Sequence, residues 1–372
     1  MKIALVCREY SLKKGGLEKY TVFLSRELLR AGHEVHIFAN TWQPEQGIVF
    51  HHVPMFRLSS PGKNLSFAYF SNRELSKEKF SVIHSMERIF YQDIFRVSDG
   101  INPVQLLQRY PKPLVRRFKA IGPRRCVLSR LEHKIFEDKG CRFIMTNSEL
   151  VKGQIIEHYN VDSERINVIY NSVDISRFNP EVKEEYRVSV RKKCGIEEDE
   201  TALLFISNDF KLKGLQLILN AMTLIEKKIK LIAAGDDGKG PYMKWADRNG
   251  LGKRVLFPGH KSDIEKFYAA CDIFVLPTRY DAFANVCLEA MACGVPVITT
   301  GSNGAAELIR DGENGYILKT RESGELAGMI STLESPSERD RMGRNGAVRA
   351  RNFTVEKHIS EVLRLYEEAV RE

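Results

Sequence analysis

The sequence predicts an α/β protein of two doubly wound domains, each a parallel sheet covered by helices. Three observations carry this. The chain has 372 residues, too many for one ordinary core and suited to two domains of about 150–200 residues each. Short apolar runs of strand length alternate with amphipathic segments of helix length in two separate blocks. Between the blocks, residues 172–200 are charged and irregular and read as a linker.

The first block opens with Ile3, Ala4, Leu5, Val6 and Cys7, a run apolar enough for a strand covered on both faces. A loop of Lys13, Lys14, Gly15 and Gly16 follows. An amphipathic helix over 16–31 comes next, with Leu17, Tyr20, Leu24 and Leu28 at helical spacing. Gly32 stops it and 34–39 is the next strand, a βαβ unit with a right-handed crossover. Further strands fall at 81–84, 94–97 and 143–147, and a basic insertion occupies about 101–134. The second block has strands at 202–207, 230–234, 254–257, 273–277 and 296–299, with helices over 215–222 and about 285–293. In open sheets of this kind ligands bind beyond the carboxyl ends of the strands, and two such domains facing each other make a cleft.

Composition narrows the classes. Hydrophobic and charged fractions of 43% and 28% are those of a globular chain. No run approaches the roughly 18–20 apolar residues that span a bilayer. The apolar opening runs straight into Arg8 and Glu9, so it reads as a strand and not as a secretory signal. Seven cysteines without a CxxC pair or zinc spacing read as reduced core thiols in a cytoplasm, with no disulfide and no structural metal. The net charge of +9 is unevenly placed: residues 1–180 carry 28 Lys/Arg against 18 Asp/Glu, and the rest carry 29 against 30. The first half is therefore a basic surface suited to something anionic. No helix-turn-helix, zinc-finger or RNP pattern supports nucleic acid.

The densest chemical signal lies between Pro277 and Pro296. A loop carries Asp281, Phe283 and Ala284, and a helix carries Glu289, eight positions after Asp281. The helix start at Ala284, Asn285 and Val286 offers unpaired N–H groups and a positive dipole end, which suit a phosphate. Glu289 stands among Val286, Leu288 and Met291, where a charged group needs partners such as a ligand's hydroxyl pair. The residues alone equally allow Asp281 as a helix cap and Glu289 as a satisfied buried acid.

This stretch resembles the signature of the retaining family 4 glycosyltransferases of the GT-B fold, where two acids eight apart precede a Gly-x-Pro-Val strand, here beginning at Gly294. The resemblance runs along nearly the whole chain. Gly15 and Gly16 match the family's amino-terminal glycine loop. Ser148, Lys152 and the run from Tyr170 to Asp174 match its end-of-first-domain pattern. Asp209 to Gly214 matches its Lys-Gly loop, and Phe257 to His260 its base-binding loop. Within the family the likeness is strongest to the lipopolysaccharide core heptose glucosyltransferases, through Gly15-Gly16-Leu17 and Trp42.

The resemblance implies two Rossmann-like domains facing a central cleft. The first, residues 1–171 with a helix about 356–372 packing back on it, would bind the acceptor. The second, residues 172–355, would bind the nucleotide sugar. The resemblance also implies roles. Lys213, with Lys211 beside it, would pair with the donor's diphosphate as the glycosidic bond breaks. The backbone of Gly16, Asn285 and Val286 would approach the phosphates, with Phe283 and Ala284 shaping the loop. Glu289 would take the ribose hydroxyls, Asp281 the sugar hydroxyls, and the His260 loop the base. No metal or other cofactor is implied, because the leaving phosphate itself takes the acceptor's proton. The implied donor is UDP-glucose, and the implied acceptor a lipid-linked or lipopolysaccharide-type glycan.

The sequence departs from the family at several positions. The first acid is Asp281 where the family has Glu, Ala284 replaces a glycine, and Asn208 replaces an arginine. A histidine expected on the acceptor side is missing, which leaves Asp99 as the candidate there. These departures motivate a rival reading, an inactive glycan- or nucleotide-binding scaffold. A dinucleotide-dependent oxidoreductase is disfavoured, since no G-x-G-x-x-G follows the first strand.

The insertion adds a partner. Between 109 and 134 it carries nine basic residues, among them Arg116, Arg117, Arg124 and Arg125, against one acid, Glu132. Leu106 and Leu107 stand just before this stretch, and Leu114, Phe118 and Ile121 are interleaved. Such a segment fits an anionic membrane surface and places the protein peripherally on the cytoplasmic face of an inner membrane. It also fits a phosphate on the acceptor, or a solvated helical face.

Overall fold

The computed structural model describes residues 1–12, 15–226 and 228–371. Lys13 and Lys14 of the glycine loop lie outside these. The chain forms two compact units, Met1–Tyr170 with His358–Glu372, and Asn171–Lys357.

In the first unit the strands are β1 (Lys2–Val6), β2 (Glu9–Tyr10), β3 (Glu34–Ala39), β4 (Thr41–Trp42), β5 (Ile48–His52), β6 (Val82–Ser85), β7 (Gln92–Val97), β8 (Cys141–Thr146) and β9 (Ile166–Val168). Seven of them make one sheet in the order β5-β3-β1-β6-β7-β8-β9, and β2 and β4 form a separate two-stranded ladder. Every pairing is parallel. Residues 3–6 of β1 are buried on both faces, as a central parallel strand requires. The helices are α1 (Gly16–Arg30), α2 (Ser60–Leu75), α3 (Asn102–Arg109), α4 (Pro113–Ala120), α5 (Pro123–Phe136) and α6 (Glu149–His158). Helix α1 ends as predicted, with Gly32 in the left-handed region. Phe67, Ala68 and Leu75 of α2 and Leu131 of α5 close one core over Ala4, Val6 and Phe38.

The basic insertion is three helices, not one segment. Each has a proline in its first turn, Pro103, Pro113 and Pro123. Proline is tolerated there because the first N–H groups have no partner within the helix, and it breaks whatever precedes it.

The second unit has β10 (Thr201–Ile206), β11 (Ile229–Ala234), β12 (Val255–Gly259), β13 (Ile273–Leu276), β14 (Val297–Thr300) and β15 (Gly315–Leu318), in the order β12-β11-β10-β13-β14-β15. All these pairings are parallel. Its helices are α7 (Val182–Lys193), α8 (Phe210–Lys213), α9 (Leu215–Met222), α10 (Gly240–Arg248), α11 (Glu265–Ala270), α12 (Asn285–Ala292), α13 (Ser323–Thr332) and α14 (Pro336–Ala350). Helix α7 corrects the linker reading of 172–200. It buries Val182 and Val190, but much of its attachment is polar, which a hydrophobic period cannot reveal. Arg187 and Arg191 pair with Asp272 at 2.6 and 3.1 Å, and Arg191 and Asp272 are both buried.

Helix α15 (Val355–Arg371) passes from the second unit into the first at His358. Within the first unit it is held by buried polar groups. His358 Nδ1 donates to the Tyr170 carbonyl at 2.7 Å, and its Nε2 lies 3.0 Å from the Tyr20 hydroxyl. The Tyr366 hydroxyl lies 2.7 Å from Nδ1 of His84 on β6. The buried Arg96 guanidinium stands 3.5 Å from the centre of the Tyr20 ring. Burial, reinforced by the Arg96 charge, pushes His84 down to about 3 and His358 to about 4.

Both histidines are therefore neutral in the fold, whereas in the unfolded chain they protonate below about 6.5. The unfolded state binds more protons in that window, so stability falls as pH falls from about 6.5 toward 4. Denaturant titrations should lose up to about 1.4 kcal/mol per pH unit for each histidine. A stability that stays flat from pH 7 to 5 would show that the two are not held neutral.

Candidate active site

In the second unit β10 lies between β11 and β13, so the strand order reverses direction between β10 and β13. Loops leaving the carboxyl ends of those two strands flank the switch point, where doubly wound sheets bind ligands. The loop after β10 carries Asp209, Lys211, Lys213 and Gly214, and the loop after β13 carries Asp281, Phe283 and Ala284.

Asp209 starts α8 by accepting the Leu212 N–H at 2.8 Å. Gly214 ends it at φ +87°, and a Cβ there would stand 2.3 Å from the Pro277 carbonyl oxygen. Only glycine lets the two loops meet this closely. The same Pro277 oxygen accepts from Arg321 Nη1 at 2.7 Å. Across this contact Lys213 Nζ donates to Asp281 Oδ2 at 2.5 Å and to the Tyr280 carbonyl at 3.2 Å. Both side chains are about four-fifths buried. Lys211 is exposed on the same short helix.

Asp281 Oδ1 accepts the Phe283 N–H at 3.1 Å. Asp281 thus shapes its own loop and is not the helix cap. Asn303, 1% exposed, supplies what Asp281 does not. Its Oδ1 accepts both the Ala284 and Ala305 N–H groups at 3.1 Å, and its Nδ2 donates to Thr299 Oγ1 at 3.0 Å. Helix α12 then begins with no side-chain cap, leaving its first N–H groups without a side-chain acceptor. Asn285 is exposed there and accepts from Asn171 Nδ2 at 2.6 Å, while Val286 is half-buried. Glu289 is half-buried and has a partner within the fold: the Tyr268 hydroxyl donates to its Oε2 at 2.9 Å and lies 3.1 Å from the Val286 carbonyl. Burial and the Glu289 charge raise the Tyr268 hydroxyl well above its usual range, so it remains a donor.

The structure thus brings Lys213, Asp281 and the 283–286 stretch together. Glu289 stands one turn further along α12. His260 is exposed just after β12, whose Gly259 carbonyl accepts the Gly235 N–H at 3.1 Å. The remaining predicted residues belong to the first unit. Gly15 and Gly16 open α1; a Cβ on Gly16 would meet no described protein atom within 4 Å. Asp99 is exposed beyond β7, 3.8 Å from the Arg88 guanidinium, and accepts from Gln105 at 3.3 Å. Asn303, Tyr268 and Arg321 are the contributors that sequence reasoning missed. Only Asn303 had a signal, its place in the Gly301-Ser302-Asn303-Gly304 turn after a strand. Among the described residues no group of three or more His, Cys, Asp or Glu is placed to hold a metal ion.

Comparison with known proteins defines the class. Residues 14–177 match the model described as Glycosyltransferase Family 4, and residues 187–349 the model described as Glycosyl transferases group 1. The chain is 25% identical over 394 residues to the D-inositol 3-phosphate glycosyltransferase of Arthrobacter sp. strain FB24, covering 96% of this chain and 90% of that one. Its fold is that of WaaG, a glycosyltransferase involved in lipopolysaccharide biosynthesis, with TM-score 0.80, 21% identity, and 99% and 98% of the two chains covered. It is likewise that of Anabaena HepE in complex with UDP-glucose, with TM-score 0.75, 20% identity, and 98% and 99% covered. The chain is a glycosyltransferase of the GT-B fold. Its two halves carry, in order, the family 4 and group 1 regions of that class.

Asn303→Ala would orphan two N–H groups in the 281–305 region, at a cost of about 1–3 kcal/mol each. Asn303→Asp keeps the acceptor oxygen and should lose less. Denaturant titration of both variants checks this, and equal stability of the alanine variant and the parent would remove Asn303 as the organiser of the loop.

Proposed function

We propose that the chain transfers glucose from UDP-glucose, with retention, to a glycan acceptor at a membrane, such as a lipopolysaccharide core. The observation that carries the reading is Lys213 held beside Asp281 at the switch point, next to the uncapped start of α12. A diphosphate there would meet a cation from one loop and backbone N–H groups from the other. The bond from the sugar's anomeric carbon to the phosphate breaks as one from that carbon to the acceptor oxygen forms. The acceptor's proton goes to the leaving phosphate oxygen, and UDP departs with the bonding pair. Charge grows on the phosphate in that step, and Lys213 stabilises it more in the transition state than before. Asp281 positions the lysine, and the sugar hydroxyls share its carboxylate with Lys213 and the Phe283 N–H. Glu289, steadied by Tyr268, takes the ribose hydroxyls, and the His260 loop takes the base. The second unit is then the donor unit, the first the acceptor unit, with Asp99 on the acceptor side, and no metal takes part.

HepE's complex with UDP-glucose supports the donor, and WaaG's part in lipopolysaccharide biosynthesis supports the acceptor. A second acceptor reading is favoured by the relative that acts on D-inositol 3-phosphate, a small phosphorylated polyol. It fits the same basic first unit.

A hydrolysis screen of nucleotide sugars reports the donor without an acceptor. UDP-glucose should be turned over, and added chelator should leave the rate intact. Lys213→Ala should lower kcat about 100-fold while changing UDP affinity far less. A normal kcat with a raised donor KM would show that Lys213 only binds, and a strict divalent-ion requirement would overturn the metal-free chemistry.

For the membrane partner, α4 supplies the supporting observation. None of its residues is buried. Leu114, Phe118 and the following Ile121 are 85%, 74% and 69% exposed and fall on one helical face, with Lys112, Arg116, Arg117 and Lys119 interleaved. That pattern suits a helix lying in an anionic interface. Among the described residues no helix is long and apolar enough to cross a membrane. The protein should sediment with phosphatidylglycerol vesicles, less so in high salt, and not with phosphatidylcholine vesicles. Replacing Leu114 and Phe118 by Ser should weaken this at least about tenfold. Equal binding to both vesicle types would sink the membrane reading.

A further inference from the structure

Helices α3, α4 and α5, with His158 at the end of α6, line an open cavity of about 600 Å³. Arg116 and Arg117 of α4 and Arg125 of α5 line it, together with Asn102 and Leu106 of α3. No aspartate or glutamate is among the lining residues. Three guanidinium groups on one cavity repel each other unless something anionic joins them.

The fold places no carboxylate on the cavity lining to do so. Glu132 is the nearest acid in sequence, and it is fully buried and committed elsewhere. It accepts from Arg88 Nε at 2.7 Å, from the Tyr159 hydroxyl at 2.5 Å and from the Asn102 N–H at 3.0 Å. Arg125 is half-buried, and its hydrogen bond goes to the neutral Asn102 amide oxygen at 2.6 Å. Burial, together with the neighbouring Arg124 and Arg109 charges, pushes its guanidinium below the ordinary value despite a weaker opposing pull from Glu132. An arginine that is desolvated, bonded to a neutral acceptor and surrounded by cations is stabilised by a bound oxyanion.

The geometry points to a binding site, in the cavity between α3, α4 and α5, for a phosphate group carried on an apolar stem. A phosphomonoester brings close to two negative charges and three acceptor oxygens, which matches three arginines lining one cavity better than one carboxylate does. Leu106 and Leu107 line the same cavity, and Leu107 is also partly exposed. The stem would lie along them toward the exposed face of α4. Such a phosphate can come from a membrane lipid or from a phosphorylated acceptor. The inference extends the membrane reading of α4 but does not need vesicles, and it is independent of the donor chemistry in the second unit.

The test is calorimetric titration of the full chain with three soluble probes: dihexanoyl phosphatidic acid below its micelle concentration, glycerol 3-phosphate, and dihexanoyl phosphatidylcholine. Phosphatidic acid should bind saturably and phosphatidylcholine should not. Arg125→Gln should weaken binding about tenfold or more, as should the pair Arg116→Gln and Arg117→Gln. The α4 pair removes no buried side chain, so its loss of binding cannot be loss of folding. Binding of phosphatidic acid far tighter than glycerol 3-phosphate assigns the site to a lipid. Equal binding of the two assigns it to a phosphorylated acceptor. No saturable binding of either phosphate, or affinities unchanged in both variants, overturns the site. UDP-glucose hydrolysis in the same samples reads the transfer reaction separately, and its failure would leave the cavity result standing.

Discussion

Every strand in both main sheets runs parallel to its neighbours, and most of what can be said about function depends on that constraint. Parallel strands all end at one edge, so loops distant in sequence are delivered to the same place. The reversal of strand order between β10 and β13 keeps the two loops there from being displaced by a crossover helix. Lys213 and Asp281 are 68 residues apart and still meet at 2.5 Å. Gly214 sets how closely, because no other residue could pass the Pro277 carbonyl in that conformation.

That closeness gives meaning to the shorter acid at position 281. Both oxygens of its carboxylate are engaged by the second unit, one with Lys213 and one with the Phe283 N–H. A carboxylate so placed holds the lysine where an arriving diphosphate can share it, and the ion pair spares the lysine the cost of partial burial alone. Asn303 does the complementary work on the helix side, binding N–H groups before and after itself from a fully buried position. The start of α12 is thereby fixed by a neighbouring turn, with no side-chain cap of its own, and its first N–H groups keep their orientation toward whatever occupies the switch point.

The inner sheet strands and the helix carrying Glu289 were legible in the sequence because buried parallel strands are continuous apolar runs, whereas β5, β9 and β15, at sheet edges and only partly buried, were not. The segment 172–200 was misread for the opposite reason. Helix α7 buries only Val182 and Val190 among its apolar residues, a row too thin to stand out among seven charged side chains, and the salt bridges of Arg187 and Arg191 to Asp272 leave no apolar signal. The insertion was recognised as basic and amphipathic, but its division at Pro103, Pro113 and Pro123 was missed although proline is a strong helix-start signal. In the site, residues inside the loops were found and their supports were not. Tyr268 sits in an apolar helix and Arg321 lies 44 residues beyond the carbonyl it binds, so neither position reveals its partner before the chain is folded.

The charge of the first unit also reads differently once it is folded. Counted along the sequence, Glu132 offsets one of the nine cations between 109 and 134. In three dimensions it faces inward, bridging Arg88, Tyr159 and the start of α3, and only a weak attraction from it reaches Arg125. Its burial does something else: by accepting the Asn102 N–H it fixes the first turn of α3, and Asn102 in turn orients Arg125. One internal acid therefore both withdraws negative charge from the surface and, through Asn102, holds a cation on the cavity lining. A solvated basic face would need no such arrangement, since exposed arginines are neutralised by water and salt at little cost. The internal scaffold spent on Arg125 is the physical difference between a surface that is merely positive and one built around an anion.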